Sequence, residues 1–271
     1  MTRARQSWNA ELIRHYDECM HSPLMGRCLA HSDFHNFGFW DKDTGNHREA
    51  GEKLLEKLLA FVPDKTGKVL DVACGTGGTT RYLSRYYRPE DITAINVSEK
   101  QLETARGNAP GCTFLWMDAT RLQFEDESFD SIICVEAAFH FNTREQFLRQ
   151  SYRVLRPGGW LVLSDTLMPR EAERRRAGRW EANYLPGPQA YRSLLSRVGF
   201  REASVVDATE QCWRRFYRNM VQRLHAALLA KEIEVADLKA LLKHTYALVP
   251  DLEYYLLAAG RKVGRKRSPG R

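Results

Sequence analysis

The stretch from Val69 to Gly78 constrains the fold of this 271-residue chain more than any other segment. Apolar Val69, Leu70 and Val72 surround one acidic residue, which is typical of a strand buried on both faces. A glycine turn and the start of a helix follow. Glycine lets the backbone approach a ligand closely, and the first N–H groups of a helix can bind it. Because any tight strand-to-helix turn needs glycine, the turn alone does not identify the ligand.

An alternation of strands and helices follows this turn. The predicted strands are 68–73, 92–97, 112–117, 129–135 and 159–164. Later segments predict a helix over 187–198 and two more strands at 201–206 and 253–258. The alternation indicates an α/β fold with a doubly wound, mainly parallel, seven-stranded sheet and helices on both faces. Ligands of such sheets bind beyond the carboxyl ends of the strands.

The flanking segments divide the chain into parts. Residues 1–62 hold N-terminal helices and an aromatic segment, and residues 63–207 form the predicted core. In the first part, apolar residues at spacings of three and four, Tyr16 among them, predict a helix over 6–30. Residues 208–251 have helical spacing and separate the last two strands, which predicts a helical cap over the strand ends. An added packing layer or a dimer surface is the alternative, and a homodimer stays open. Residues 252–263 supply the last strand and 264–271 a basic tail.

The segment 31–41 is dense in aromatic and polar residues and too irregular for a helix. One interpretation is a flap that folds over a ligand, with Phe37 and Trp40 stacking on it. The other is an aromatic plug that closes one end of the core. Both interpretations stay open at the level of the sequence.

Composition argues against several classes of protein. An apolar fraction of 43% with well-mixed charges indicates a globular chain. The absence of a long apolar run and of a signal-peptide core predicts a cytoplasmic protein without a membrane span. The six cysteines form no C-x-x-C pair, so we expect neither disulfides nor a metal site. The net charge of +7 raises nucleic acid as a partner, but the excess lies in 170–179 and in the tail.

Polar residues mark the ends of the five predicted strands, at the edge where a ligand would bind. Helix capping explains one such residue, such as Ser98, more easily than all five. The candidate site residues at these ends are Asp71, Gly75, Thr76, Gly77, Asn96, Gln101, Asp118, Ala119, Val135, Glu136, His140 and Asp165.

A dinucleotide site is the first alternative, because it also begins with a strand, a glycine turn and a helix. It expects G-x-G-x-x-G and an acidic residue that ends the second strand. Here Thr80 stands at the third glycine position, and the second strand ends in Asn96. Asp71 inside the motif would repel a pyrophosphate and suits a cationic or amine-bearing ligand better.

These residues resemble the motifs of class I S-adenosylmethionine-dependent methyltransferases, a family with a Rossmann-like fold. Residues 69–78 are similar to its first motif, with Ala73 where glycine is common. Its later motifs match in the expected order at 114–119, 130–141 and 153–165. The segment 95–101 is similar to a small-molecule subgroup that contains sterol, cyclopropane-fatty-acid and natural-product enzymes. The resemblance covers about residues 65–207.

The resemblance implies S-adenosylmethionine as the cofactor and a role for each strand end. The methionine moiety would contact Gly75, Thr76 and Gly77, with Asp71 near its amino group through water. The ribose hydroxyls would bind Asn96 and Gln101, because an amide can donate to and accept from a diol. The adenine would bind Asp118 and Ala119, and the sulfonium end would lie beside Val135 and Glu136, while Phe37 and Trp40 form the flap. Glu136 also fits an ordinary helix-capping acid.

The expected second ligand is a small molecule, since a flap and a cap would enclose a mid-sized, fairly apolar pocket. A hydroxyl acceptor of a natural product must lose a proton. His140 is the candidate general base, and Asp165 would orient it or share its role, as the resemblance to O-methyltransferases of antibiotic sugars also implies. The alternative is that His140 only shapes the pocket. A carbon acceptor such as an alkene would need aromatic rings near the developing cation and no base at first.

Other functions are less well supported by the residues. Methyltransferases that act on exocyclic base nitrogens usually carry Asn/Asp-Pro-Pro-aromatic after the fourth strand, where this chain has residues 136–140 with a different sequence. No RNA-binding module is recognisable. An intact pair of His140 and Asp165 would also disfavour a non-enzymatic cofactor-binding subunit.

Overall fold

The computed structural model describes residues 3–29, 32–175 and 181–264, and in it the predicted strands form one seven-stranded sheet. The strands are β1 Val69–Val72, β2 Ile92–Asn96, β3 Thr113–Trp116, β4 Phe129–Val135, β5 Leu155–Leu167, β6 Arg201–Asp207 and β7 Tyr254–Arg261. Their order is β3-β2-β1-β4-β5-β7-β6, with β1 to β5 parallel and β7 antiparallel to both of its neighbours. The predicted α/β fold is confirmed.

The α-helices cover both faces of the sheet and its carboxyl edge. They are α1 Arg3–Met20, α2 Pro23–Cys28, α3 His47–Leu59, α4 Gly78–Leu83, α5 Glu99–Asn108, α6 Arg144–Val154, α7 Arg170–Arg175, α8 Pro188–Val198, α9 Arg215–Leu229 and α10 Val235–Leu248. None of these described helices is long and apolar enough to cross a membrane. Residues 265–271 of the predicted basic tail, and 176–180 of the basic stretch, lie outside the described residues.

The register of the central strands brings their ends together. Val72 pairs with Ile95 of β2 on one side and with Cys134 of β4 on the other. All four residues of β1 are buried, as expected for a parallel strand covered on both faces. The strand order reverses at β1 and β4, so the residues that follow these strands surround the crevice where such sheets bind ligands.

Two element boundaries differ from the predictions. The helix predicted over 6–30 is divided into α1 and α2, since Pro23 suits the first position of a helix and disfavours helical backbone in the residue before it. The strand predicted at 159–164 is longer at both ends, because Leu155 pairs with β4 and Leu167 with β7. Pairing with both neighbours therefore extends β5 across Pro157, Gly158 and Gly159.

The insertion before β7 folds as a helical cap. It consists of a π-helical turn at Thr209–Arg214, α9, α10 and a 3-10 turn at Val249–Asp251. Apolar side chains of the cap pack in one cluster with Leu29, which follows α2. The cluster contains Leu29, Met220, Leu224, Ile233 and Leu238. The cap and the N-terminal helices thus pack together at the carboxyl edge of the sheet.

Candidate active site

A cavity of about 700 Å³ lies at the carboxyl ends of the strands. Its floor is formed by the segments that follow β1 to β5, and its cover by α1, α2, residues 33–37 and the cap. The predicted site residues that line it are Phe37, Asp71, Gly75, Thr76, Asn96, Gln101, Asp118, Ala119, Val135, Glu136 and His140. Gly77, Trp40 and Asp165 are not among its lining residues.

β1 holds a buried acid, Asp71, just before the glycine turn. Asp71 is 1% exposed, and its Oδ2 accepts a hydrogen bond of 2.7 Å from the Thr80 hydroxyl. Burial raises the pKa of Asp71 to about 7. Gly77 has φ 88°, and a Cβ there would lie 3.0 Å from the backbone of Ala105 on α5. Gly77 therefore serves the close packing of two helices instead of lining the cavity.

The end of β2 carries a chain of hydrogen-bonded polar side chains. Asn96 Nδ2 donates to Gln101 Oε1 at 2.8 Å, and Asn96 Oδ1 accepts from the Val97 N–H at 2.7 Å. Gln101 Nε2 donates at 2.7 Å to Oδ1 of Asp17 on α1. The same oxygen accepts from the Ser98 hydroxyl at 2.6 Å. Ser98 also caps α5 through the Gln101 N–H, as its position predicts.

The end of β3 places Asp118 and Ala119 in the cavity wall. Asp118 Oδ1 accepts hydrogen bonds from the backbone N–H and the hydroxyl of Thr120, at 2.8 and 2.7 Å. These two bonds fix the carboxylate at the start of the turn. That it binds the adenine stays a prediction.

Glu136, after β4, connects the sheet to the aromatic segment. Its Oε1 accepts from the Phe37 N–H at 2.8 Å and from the Tyr255 hydroxyl at 2.6 Å. Both donors are neutral, and burial raises the pKa of the carboxyl to about 8. Its hydrogen bonds therefore go to the aromatic segment and to β7, and not to the N-terminus of a helix.

The aromatic segment both packs into the core and lines the cavity. Phe34 is 1% exposed and packs in the core beside Tyr82, with ring centroids 6.4 Å apart. The Phe37 ring lines the cavity and lies 4.9 Å from Trp213 and 5.0 Å from Phe216 of the cap, measured between centroids. Trp40 supports Phe37 from behind, because its Nε1 donates to the Phe37 carbonyl at 2.7 Å.

His140 lies in a 3-10 turn, Ala138–His140, just beyond β4. The hydroxyl of Tyr16 on α1 is 2.6 Å from His140 Nε2, and both residues line the cavity. The Phe139 ring is tilted against the imidazole with centroids 4.0 Å apart. An imidazole nitrogen in hydrogen-bond contact with a hydroxyl inside the cavity is the geometry that proton transfer needs.

The expected pairing of Asp165 with His140 is wrong. Asp165 is 0% exposed, and its Oδ2 accepts from Arg144 Nε at 2.7 Å and from the Tyr191 hydroxyl at 2.9 Å. Its Oδ1 accepts from the Thr166 N–H. Successive side chains of a strand point to opposite faces, and it is Thr166 that lines the cavity. Asp165 is instead the counter-charge of a buried arginine.

Four residues that contact the predicted site are not among its predicted members. Tyr16 and Asp17 belong to α1, where Tyr16 counted only as part of an apolar helical face. Thr80 binds Asp71, and Tyr255 binds Glu136 from β7. A tyrosine followed by an aspartate near the end of an amphipathic helix carries no local signal for these contacts, which join residues far apart in the chain.

Comparison with known proteins decides the family. Residues 70–163 match the family model described as a methyltransferase domain. The chain is 30% identical over 241 residues to the 27-O-demethylrifamycin SV methyltransferase of Amycolatopsis mediterranei (strain S699), across 82% of this chain and 88% of that protein. The chain belongs to the S-adenosylmethionine-dependent methyltransferases. It is an enzyme, a methyltransferase with S-adenosylmethionine as its cofactor.

Solved structures show the same fold with different chemistries. The [4+2]-cyclase SpnF superposes with a TM-score of 0.71 at 23% identity, covering 97% of this chain and 98% of that one. The geranyl diphosphate C-methyltransferase from Streptomyces coelicolor A3(2), in complex with Mg²⁺, geranyl diphosphate and S-adenosyl-L-homocysteine, has a TM-score of 0.66 at 12% identity, with coverages of 97% and 98%. A cyclase and a methyltransferase on one fold mean that the reaction depends on the residues of the site.

The donors and acceptors of the cavity fit this cofactor. Its ribose is a diol, and Asn96 and Gln101 offer amides at 7% and 4% exposure on one wall. Its amino group and sulfonium are cationic, and Asp71 and Glu136 are carboxyls in that cavity whose hydrogen-bond donors are hydroxyls and one backbone N–H. The methyltransferase family that the sequence motifs resemble is thus the family to which the chain belongs.

Proposed function

We propose that this enzyme methylates a hydroxyl group of a largely apolar natural product, with His140 as the general base. The observation that carries the proposal is the 2.6 Å contact between Tyr16 Oη and His140 Nε2 inside the cavity. The relative named 27-O-demethylrifamycin SV methyltransferase supports an oxygen acceptor.

The cofactor would be held by residues at the ends of β1 to β4. Asn96 and Gln101 would bind its ribose, Asp118 and the Ala119 N–H its adenine, and Gly75 and Thr76 would contact its methionine moiety. Bound S-adenosylmethionine supplies an electrophilic methyl group. Enclosing both ligands in one cavity aligns them and excludes water, which can contribute about 7–11 kcal/mol to lowering the barrier.

Glu136 would face the cationic part of the cofactor. Burial leaves the carboxyl largely protonated at pH 7, because it raises the pKa to about 8. A nearby positive charge favours the ionised form, so cofactor binding would release a proton from this group.

The proton of the acceptor hydroxyl would move to Nε2 of His140. Tyr16 lies at the same nitrogen, so it either yields this place to the acceptor or relays the proton. In the relay, the phenol gives its proton to Nε2 and takes the acceptor's proton on Oη, which leaves Tyr16 neutral. Either route leaves an imidazolium and a nucleophilic oxygen.

The acceptor part of the cavity is built from apolar side chains of α1, α2 and the cap. These residues are Leu12, Ile13, Met25, Phe216, Met220, Leu224 and Leu241, with Phe139 and Met168 from the sheet edge. Flexible methionines and aromatic rings suit an irregular apolar surface. They support an acceptor of mid-sized, largely apolar character.

The test uses methyl-labelled S-adenosylmethionine with a panel of hydroxylated natural products, beginning with 27-O-demethylrifamycin SV. Mass spectrometry and NMR of the product identify the methylated atom. With an acceptor in hand, His140→Gln should lower kcat by about 10²–10⁴, because a general base contributes about this much. Binding of S-adenosyl-L-homocysteine should be unchanged, and wild-type turnover in this variant would exclude His140 as the base.

Carbon methylation is the second candidate, and the aromatic lining favours it. Phe139, Phe141, Trp213 and Phe216 all line the cavity, and aromatic faces stabilise a developing cation. The same experiment separates the two reactions. A product methylated at carbon, with turnover that loses less than about 10-fold in His140→Gln, would replace the oxygen assignment.

A further inference from the structure

α1 crosses the cavity and is held at two strand ends. Tyr16 contacts His140 beyond β4, while Asp17, the next residue, contacts Ser98 and Gln101 beyond β2. Just past the helix, His21 Nε2 lies 3.1 Å from the Thr104 hydroxyl of α5. The helix therefore joins the wall predicted for the ribose to the predicted base.

The Asp17 carboxylate determines how two amides on that wall are oriented. A carboxylate only accepts hydrogen bonds, so the NH₂ group of Gln101 must face it. The Gln101 carbonyl oxygen then faces Asn96 Nδ2, at 2.8 Å. With its Nδ2 facing Gln101, Asn96 directs its Oδ1 toward the Val97 N–H. The O and N atoms of an amide are assigned from such networks, and here the network ends on one charged acceptor.

We infer that Asp17 is a positioning residue for the cofactor: its docking orients the Gln101 and Asn96 amides and couples cofactor binding to closure of α1. The inference rests on the proposed place of the ribose at these amides. An amide pair that is already oriented loses less freedom when a diol binds. Because coupling is reciprocal, a cofactor that binds the oriented pair stabilises the docked helix, and with it the contact of Tyr16 with His140.

A simple helix contact would predict something different. If Asp17 only attached α1 to α5, its removal would lower the stability of α1 in the free enzyme but leave the affinity for the cofactor product intact. The inferred role requires both properties to change together. Affinity and helix protection must therefore be measured in the same variants.

The experiment compares the full-length wild type with Asp17→Leu, which removes the acceptor at similar size, and Asp17→Asn, which retains a neutral acceptor oxygen. Glu18→Leu is the matched control, since Glu18 is the exposed neighbour and loses the same charge. Calorimetric titration with S-adenosyl-L-homocysteine should show about 10-fold weaker binding for Asp17→Leu, about 3-fold or less for Asp17→Asn, and wild-type binding for the control.

Hydrogen exchange supplies the second readout. Saturating S-adenosyl-L-homocysteine should slow amide exchange in residues 10–20 of the wild type and of Glu18→Leu, but not of Asp17→Leu. Wild-type affinity in Asp17→Leu, or equal protection of its α1, overturns the inference. If Asp17→Leu does not fold, Asp17→Ala repeats the test under the same criteria.

Failure of the proposed cofactor site gives a separate result. Gln101→Ala should weaken binding of S-adenosyl-L-homocysteine whether or not Asp17 has the inferred role. Wild-type affinity in Gln101→Ala would remove the ribose from these amides and overturn the inference with it. A loss in Gln101→Ala without a loss in Asp17→Leu would overturn the role of Asp17 alone.

Discussion

Glu136 and Asp165 are carboxyls of neighbouring strands, Glu136 partly buried and Asp165 fully buried, and their surroundings are opposite. The register pairs Val135 with Ser164, so Glu136, just after β4, lies level with Asp165, which is inside β5. Asp165 is paired with a guanidinium that is itself 1% exposed. Glu136 has two neutral donors and borders the cavity. A buried acid with its own cation belongs to the scaffold, whereas one without a cation remains able to bind a cationic ligand.

The largest expected effect comes from removing the charge of Asp165, and it is a loss of stability of the folded state. Asp165→Asn leaves the buried Arg144 without a counter-charge and should lower the free energy of unfolding by about 3–5 kcal/mol, measured by urea denaturation. Glu145→Gln is the control, because its pair with Arg149 is on the surface and should contribute less than about 1 kcal/mol. A loss below about 1 kcal/mol in Asp165→Asn would mean that this acid does not balance the arginine.

Glu136→Gln should instead raise the stability of the folded protein at high pH. The folded pKa of Glu136 is about 8, against an ordinary value of 4.5. Between these values the folded protein binds a proton that the unfolded chain does not, so stability falls as pH rises and levels off above about 8. Glutamine retains the neutral hydrogen bonds and has no proton to lose. The variant should match the wild type near pH 5 and exceed its Tm at pH 9 by about 5 °C or more.

The same variant also tests whether Glu136 interacts with the positive charge of the cofactor. Glu136→Gln should weaken binding of S-adenosylmethionine at pH 8.5 by at least about 10-fold and binding of S-adenosyl-L-homocysteine, which lacks the sulfonium charge, by less. Titration calorimetry with the two ligands measures the difference. Equal losses for both ligands would place the sulfonium elsewhere in the cavity.

Asp71→Asn should also raise the stability of the folded protein at high pH, but by less than Glu136→Gln. Burial raises the pKa of Asp71 to about 7 from 3.8, so its destabilisation develops as pH rises between those values and is complete above about 7. The Thr80 hydroxyl can still donate to the asparagine oxygen. Thermal melts should therefore show a higher Tm than wild type at pH 8 and a much smaller difference near pH 4.5. A lower Tm at pH 8 would contradict burial as the cause of the raised pKa.

The strand-end residues show how much of the site the sequence could predict. Asp118 and Glu136 follow apolar strand segments, Asn96 ends one, and Asp71 lies one residue before the end of β1. Parallel strands must bring such positions to one edge. The cavity lies at that edge and is lined by all four. The order and period of the strands, which are local properties, were enough for this grouping.

Asp165 shows where such reasoning stops. The sequence predicts Asp165 at the end of its strand, but β5 continues to Leu167. The face to which Asp165 points depends on the residue of β5 that pairs with Ser131 across an irregular register. The buried Arg144 that binds it stands at the start of α6, 21 residues earlier in the chain. A polar residue near a strand end can therefore face the cavity or bind a buried partner, and the sequence does not distinguish these two cases.

The sequence by itself determined the fold, the cofactor edge and the two covers, because strand alternation and motif spacing are local patterns. Only the tertiary structure decided what the covers contribute, since Tyr16 and Asp17 reach partners 124 and 84 residues away. The tertiary structure also decided that Asp165 is neutralised by a cation and that Glu136 faces the cavity. Those outcomes depend on helix docking and on burial, which are properties of the packed molecule.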